Sequence, residues 1–157
     1  MAGYQNEGSA ELEVLQELLS RVSSSPWYKL IGMRPRVVDG DVVIELDLDE
    51  EKHLQALGVA HGGVIASVLD SAIALNINKR LVGTGRAAVT AQLNVHYLRP
   101  VSKGRVVGIG RPVHIGSKTA VGYGEARIGD GVVAVATATL AIRGLEAGPP
   151  SRSGQLR

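Results

Sequence analysis

One stretch of the chain gathers the residue types that do chemistry: His61-Gly62-Gly63, followed by Ser67, Asp70 and Ser71. The residues between them are Val64, Ile65, Ala66, Val68 and Leu69, with Ala72, Ile73 and Ala74 beyond. The apolar run predicts a helix from Gly62 to about Arg80, apolar on most of its circumference. Glycine is a poor helix former, so two of them at the opening ask for a reason. They leave the first backbone N–H groups of the helix uncrowded, and a helix start carries unsatisfied donors and partial positive charge. Such a mouth attracts an anion or the oxyanion of an acyl-transfer intermediate. A turn needed only for backbone geometry would use the same two glycines.

Asp70 tips the choice. A carboxylate among apolar helix neighbours needs a partner or a use. With Ser67 and Ser71 it could form a solvated stripe at i, i+3, i+4 spacing. In a cleft, loss of solvation would instead make it a stronger base. Gly62 and Asp70 are eight residues apart, about 12 Å along one helix axis. Both cannot act on one carbonyl within a single chain. If both are catalytic, two antiparallel helices from two copies must meet about a two-fold axis, giving two equal sites. The chemistry thus predicts at least a dimer.

The remaining elements must hold that helix. Residues 1–8 are polar and read as a flexible N-terminus; Ser9 is a plausible N-cap for a helix carrying Leu12, Leu15, Leu19 and Val22. Ser23-Ser24-Ser25-Pro26 ends it. A strand is predicted over Leu30–Val38, a tight turn at Asp39-Gly40 and a half-buried strand over 42–48. Asp49-Glu50-Glu51-Lys52 reads as a solvated turn and 53–61 as a loop, with His53 on the surface. After the long helix, Val89, Ala91, Leu93, Val95 and Tyr97 alternate with Thr90, Gln92, Asn94 and His96. Strands follow at Arg105–Ile115, Thr119–Ile128 and Val132–Ile142, joined by Gly116-Ser117-Lys118 and Gly129-Asp130-Gly131, which suit antiparallel hairpins. The layout is α+β: one domain over 9–143, with six antiparallel strands curled around an enclosed helix. An open sheet edge invites a second copy. The tail, 144–157, is rich in Gly, Pro and Ser and reads as flexible.

Composition sets limits. The chain has 157 residues with 45% hydrophobic and 20% charged, the make-up of a globular domain. Aromatics are 3% and Phe is absent, so the core is aliphatic and stacking platforms for single-stranded nucleic acid are missing. No Cys means no disulfide, thiolate metal site or cysteine nucleophile. No His-x-x-x-His or carboxylate cluster suggests a metal. Ser67 lacks an adjoining His for a serine triad. Gly108-x-Gly110 is not followed by a helix, so it is no dinucleotide fingerprint. The first residues lack the basic and apolar regions of a signal peptide, and the apolar stretch Gly131–Ile142 is too short to span a bilayer. The expectation is a cytoplasmic protein without membrane or nucleic-acid partners. Residues 1–78 hold 5 Lys and Arg against 12 Asp and Glu, a balance of −7; residues 79–157 hold 12 against 3, a balance of +9. The basic half suits a small polyphosphate ligand or the acidic half of a neighbour.

His61-Gly62-Gly63 with Asp70, followed by Thr90-Ala-Gln-Leu-Asn-Val-His-Tyr97-Leu-Arg99-Pro100, resembles the hotdog-fold thioesterases of the phenylacetate-degradation (PaaI-like) type, over about residues 27–143. The resemblance implies an acyl-CoA thioesterase releasing a free acid and CoA. The Gly62 N–H would bind the thioester carbonyl and Asp70 would be general base or nucleophile. Thr90 would hold the water or the carboxylate, and His61 would shape the carbonyl site. The family usually has Asn six residues before the His; Gln55 stands there and offers the same amide with one more methylene. Gly63, Arg99, Gly116, Ser117 and Lys118 are candidates for contact with the substrate. CoA thiolate leaves without a strong acid, which fits the expectation of no Lys or Tyr beside the base. The resemblance implies no cofactor beyond the CoA of the substrate, and a homodimer or a dimer-of-dimers tetramer. A hotdog enoyl-CoA hydratase or dehydratase, and a non-catalytic acyl-CoA-binding module, are the competing readings.

Overall fold

A computed structural model describes residues 7–145. Its order is α1 (Glu7–Ser23), α2 (Pro26–Ile31), β1 (Arg34–Val38), β2 (Asp41–Asp47), α3 (Glu50–His53), α4 (Gly62–Lys79), β3 (Arg86–Tyr97), β4 (Arg105–Ile115), β5 (Thr119–Ile128) and β6 (Gly131–Gly144). The strands form one antiparallel sheet in the order β1-β2-β4-β5-β6-β3. The expected loose segments 1–8 and 144–157 fall mostly outside the described residues; of them, Glu7 and Gly8 are helical and Gly144 closes β6. Ser9 therefore lies inside α1 rather than capping it. Within α1, Leu15 is buried, with Leu19 and Val22 packed on the core beside it.

Helix α4 packs against β2, β3, β4, β5 and β6, so the sheet curls around it. Val68, Leu69, Ala72, Ile73 and Ile77 are wholly shielded from solvent. Each of the Val, Leu and Ile side chains among them contributes about 1.5–3 kcal/mol by its burial. Two glycines let the helix come this close. A Cβ on Gly110 would lie 2.4 Å from the carbonyl carbon and oxygen of Ala72, and one on Gly122 would lie 2.3 Å from Ile73 Cγ2. The Gly108-x-Gly110 pair thus serves helix–sheet packing. Asn76, buried in the core, donates to the Val42 and Ala72 carbonyls at 2.7 and 3.0 Å and accepts from the Val42 N–H at 2.9 Å. All of its polar capacity that matters is satisfied, as a buried amide requires.

Two expectations need correction, and a third holds. The strand placed over Leu30–Val38 begins only at Arg34, because residues 26–31 form α2. Pro26 at the first helical turn and Gly32 in the left-handed region at φ 79° bracket that short helix. The turn at 49–52 is a short helix, α3, whose start is capped by Asp49 accepting from the N–H groups of Glu51 and Lys52. The Asp39-Gly40 turn has φ of 51° and 82°, the double positive φ of a type I′ hairpin, as its sequence predicts.

The ends of the sheet differ. Strand β1 is short and joined to β2 by ion pairs, including Arg34 with Asp47 at 2.5 Å. Strand β3 runs 12 residues along the other edge. Val89 is 62% exposed and Tyr97 54%. A long, partly apolar edge of this kind is a template for pairing with another strand.

Candidate active site

The start of α4 is built from His61 onward. His61 is the N-cap, with extended backbone at φ −61° and ψ 134°. Its Nδ1 accepts from the Gly63 N–H at 3.0 Å. The ring therefore satisfies one of the donors a helix start leaves open, and its proton sits on Nε2. The Gly62 N–H has no hydrogen-bond acceptor among the described residues. Tyr97 lies across this glycine: its hydroxyl donates to the Gly62 carbonyl at 2.9 Å, and a Cβ on Gly62 would meet the ring at 3.0 Å. Gln55, Gly62, Tyr97 and Arg99 share a cavity of about 350 Å³. The opening of the helix is thus a donor facing a lined space.

Asp70 lies two turns further along α4 and lines a different cavity, of about 690 Å³. Thr90 Oγ1 donates to Asp70 Oδ1 at 2.7 Å, the length of a strong hydrogen bond to a charged acceptor. This contact depends on an irregularity. Thr90 and Tyr97 both reach α4 although seven residues separate them, and a regular strand would send them to opposite faces. The register between β3 and β6 shifts between Thr90 and Gln92, so Ala91 is a bulge. Before the bulge Ala88 and Thr90 face the helix; after it Leu93, Val95 and Tyr97 do. The plain alternation expected from the sequence fails at this point.

The expectation of no Tyr beside the base is also corrected. Tyr28, on α2, lines the Asp70 cavity together with Ser71. Burial pushes the Tyr28 hydroxyl above the usual phenol range; a hydrogen bond from Ser71 opposes this and the nearby Asp70 charge adds to it. At neutral pH it is therefore a neutral hydroxyl. Nothing in the sequence marked Tyr28, because α2 itself was not legible there.

His53 is not on the surface. It is buried, 3% exposed. Its Nδ1 accepts from the Asp49 N–H at 2.9 Å and its Nε2 donates to the Ile31 carbonyl at 2.9 Å. Its own carbonyl accepts from the His61 N–H at 2.8 Å. A residue expected to be solvated instead ties α2 and α3 to the turn before Gly62.

Of the sequence-predicted residues, the structure brings Gln55, Gly62 and Arg99 to one cavity and places Asp70 beside Thr90 at another. His61 and Gly63 are bonded to each other. Gly116, Ser117 and Lys118 form the β4–β5 hairpin and line neither cavity. Among the described residues no group of three or more His, Asp or Glu side chains is placed to hold a metal, and no helix is long and apolar enough to cross a membrane.

A sequence model of the thioesterase superfamily matches residues 57–135, a span that contains Gly62, Asp70 and Thr90. Over 84 residues the chain is 31% identical to the proofreading thioesterase EntH of Klebsiella pneumoniae, covering 54% of this chain and 60% of that protein. The chain spans between 51% and 60% of the length of the curated relatives it matches. A mutant of the phenylacetic acid degradation protein PaaI from Thermus thermophilus superposes with a TM-score of 0.66 at 28% identity, covering 74% of this chain and 98% of that one. The thioesterase HI1161 of Haemophilus influenzae shares the fold, with a TM-score of 0.75 at 22% identity over 89% of this chain and 94% of that one. With the enclosed helix, the curled six-stranded sheet and the matched span together, the chain belongs to the thioesterase superfamily and carries its hotdog fold.

Proposed function

We propose that this protein hydrolyses acyl-CoA thioesters at sites shared between two copies of the chain. The observation that carries the proposal is the division of parts along α4. An open N–H stands at Gly62 in one cavity, and a carboxylate held by Thr90 stands at Asp70 in another, about 12 Å away along the axis. Neither cavity alone has both the donor and the base. A second copy, paired along the exposed β3 edge with its α4 antiparallel, would supply the missing half to each.

In such a site the thioester carbonyl oxygen meets the N–H of Gly62 of the partner subunit. Asp70 takes a proton from water as it adds to the carbonyl carbon, or adds directly to give an anhydride that water then opens. The oxyanion collapses, the C–S bond breaks, and CoA leaves as its thiolate. Thr90 keeps one carboxylate oxygen occupied, so the other faces the substrate. An oxyanion donor is worth about 2.7–4 kcal/mol of barrier and a positioned base about 10²–10⁴ in rate. Gln55 and Arg99, beside Gly62, are placed to orient the amide-bearing arm of CoA. The same reading expects a homodimer as the smallest active unit, with larger assemblies built from it, in the cytoplasm.

The test is a panel of acyl-CoA esters with detection of the free thiol, run on wild type and Asp70→Asn. Wild type should release CoA, and Asp70→Asn should lose about 10²–10⁴ of kcat while melting at the wild-type temperature. Full activity in Asp70→Asn would remove Asp70 from the mechanism. Hydration of enoyl-CoA without thiol release would favour the hydratase reading, and binding without either reaction the acyl-CoA-binding module.

A further inference from the structure

The Asp70 cavity does not stop at Asp70. Ala74 and Leu75 of α4, Leu81 beyond it and Arg86 at the beginning of β3 line it too, as does Arg21 of α1. Much of its lining is apolar, with Leu18 and Val22 from α1 and Leu75 from α4. Arg86 precedes the β3 bulge, so it shares the helix-facing side with Ala88 and Thr90. Four residues from Thr90, it lies about 13 Å along the strand from the carboxylate that Thr90 holds. It is half-buried, and among the described residues neither Arg86 nor Arg21 has a carboxylate within salt-bridge distance. Asn78, between them, is already occupied: it donates to the Ala74 and Ala88 carbonyls and accepts from the Ala88 N–H. Glu17 on the rim is the one acid of the far wall, and it is solvent-exposed.

We infer that this cavity is the acyl pocket and that Arg86, assisted by Arg21, selects acyl groups bearing a carboxylate at the end remote from the thioester. The inference rests on the thioesterase reading for the position of the reacting carbon at Asp70. The chemistry is direct. An apolar channel accepts methylene groups of any acyl chain, and a methylene more or less discriminates weakly. A half-buried guanidinium on the cavity wall forms a charge-assisted, bidentate pair with a carboxylate, and stays partly desolvated when the chain ends in a methyl group. Of linear acyl groups, those of medium length place their far end within reach of Arg86. The substrates that fit are CoA monoesters of medium-chain dicarboxylic acids.

Two matched pairs decide it: hexanoyl-CoA against adipoyl-CoA, and octanoyl-CoA against suberoyl-CoA, each ester of a dicarboxylic acid being the monoester. The readout is the ratio of kcat/KM within a pair. Wild type should favour a dicarboxylic ester by about tenfold or more, and Arg86→Met should bring the ratio near one, mainly through KM. Arg21→Gln, on the exposed face of α1, should reduce the ratio partway without touching the sheet, and Arg86→Lys should keep part of it. A wild-type ratio near one or below in both pairs, or a ratio that Arg86→Met leaves intact, overturns the inference. If wild type cleaves none of the four esters, the thioesterase reading has failed, and calorimetric Kd values for the same esters still judge the arginine. About tenfold tighter binding of a dicarboxylic ester, lost in Arg86→Met, sustains it; equal binding overturns it.

Discussion

At the scale of single residues, the site rests on short contacts whose partners the sequence revealed unevenly. Asp70 and Gly62 were legible because a carboxylate and paired glycines are out of place in an apolar helix. Thr90 was legible only through the family pattern, since its strand reads as a regular alternation and the bulge at Ala91 leaves no mark in residue type. His53 was misread because one His in a charged stretch gives no sign of being buried. The Thr90–Asp70 contact carries its own prediction. Thr90→Val keeps the shape and removes the donor, leaving Asp70 Oδ1 without its 2.7 Å partner. A hydrogen bond to a charged group is worth about 1.5–3 kcal/mol, so kcat should fall by roughly 10- to 100-fold. Thr90→Ser should restore most of it. Equal activity of the Val and Ser variants in the thiol-release assay would show that the hydroxyl does not position Asp70.

At the scale of elements, α4 was readable as a long apolar run and the strands from β2 to β6 from alternation and the turn residues between them. Helix α2 was not: it spans six residues and has no fully buried side chain, so no apolar repeat announces it. Its consequence is large, since it brings Tyr28 to the Asp70 cavity. The Gly108-x-Gly110 pair of β4 was seen as a sequence feature, but its role needed the structure. Gly110→Ala tests it. The added Cβ would press on the Ala72 backbone at 2.4 Å, where no flexible side chain can yield. Overpacking of this kind costs about 1–3 kcal/mol or more. The urea midpoint should drop accordingly, and activity should fall with it because α4 carries both halves of the proposed site. An unchanged midpoint would mean that helix and sheet are less tightly opposed than described.

At the scale of the whole molecule, the fold leaves unfinished business in two places. The β3 edge is long and partly apolar, and Gly62 and Asp70 line two separate cavities. The sequence alone anticipated this arrangement from helix geometry, since eight residues on one helix cannot converge on one atom. What it could not supply was which wall of the molecule carries each half. Pairing two copies across the edge accounts for both features with one contact, in keeping with the prevalence of two-fold dimers.

Complementation between two inactive variants tests the shared site most directly. Asp70→Ala removes the base. Gly62→Pro removes the N–H; proline suits the first helical position behind the extended backbone of His61, and the Tyr97 side chain, 3.0 Å from an added Cβ, has to shift by a few tenths of an ångström, so each variant's melting temperature is measured beside its activity. Each variant alone should lose about 10²-fold or more in kcat. Denatured together in equal amounts and refolded, they should form mixed dimers with one intact site, restoring about a quarter of wild-type activity by random pairing. Activity in the mixture no greater than the sum of the separate variants would contradict a site built from two copies.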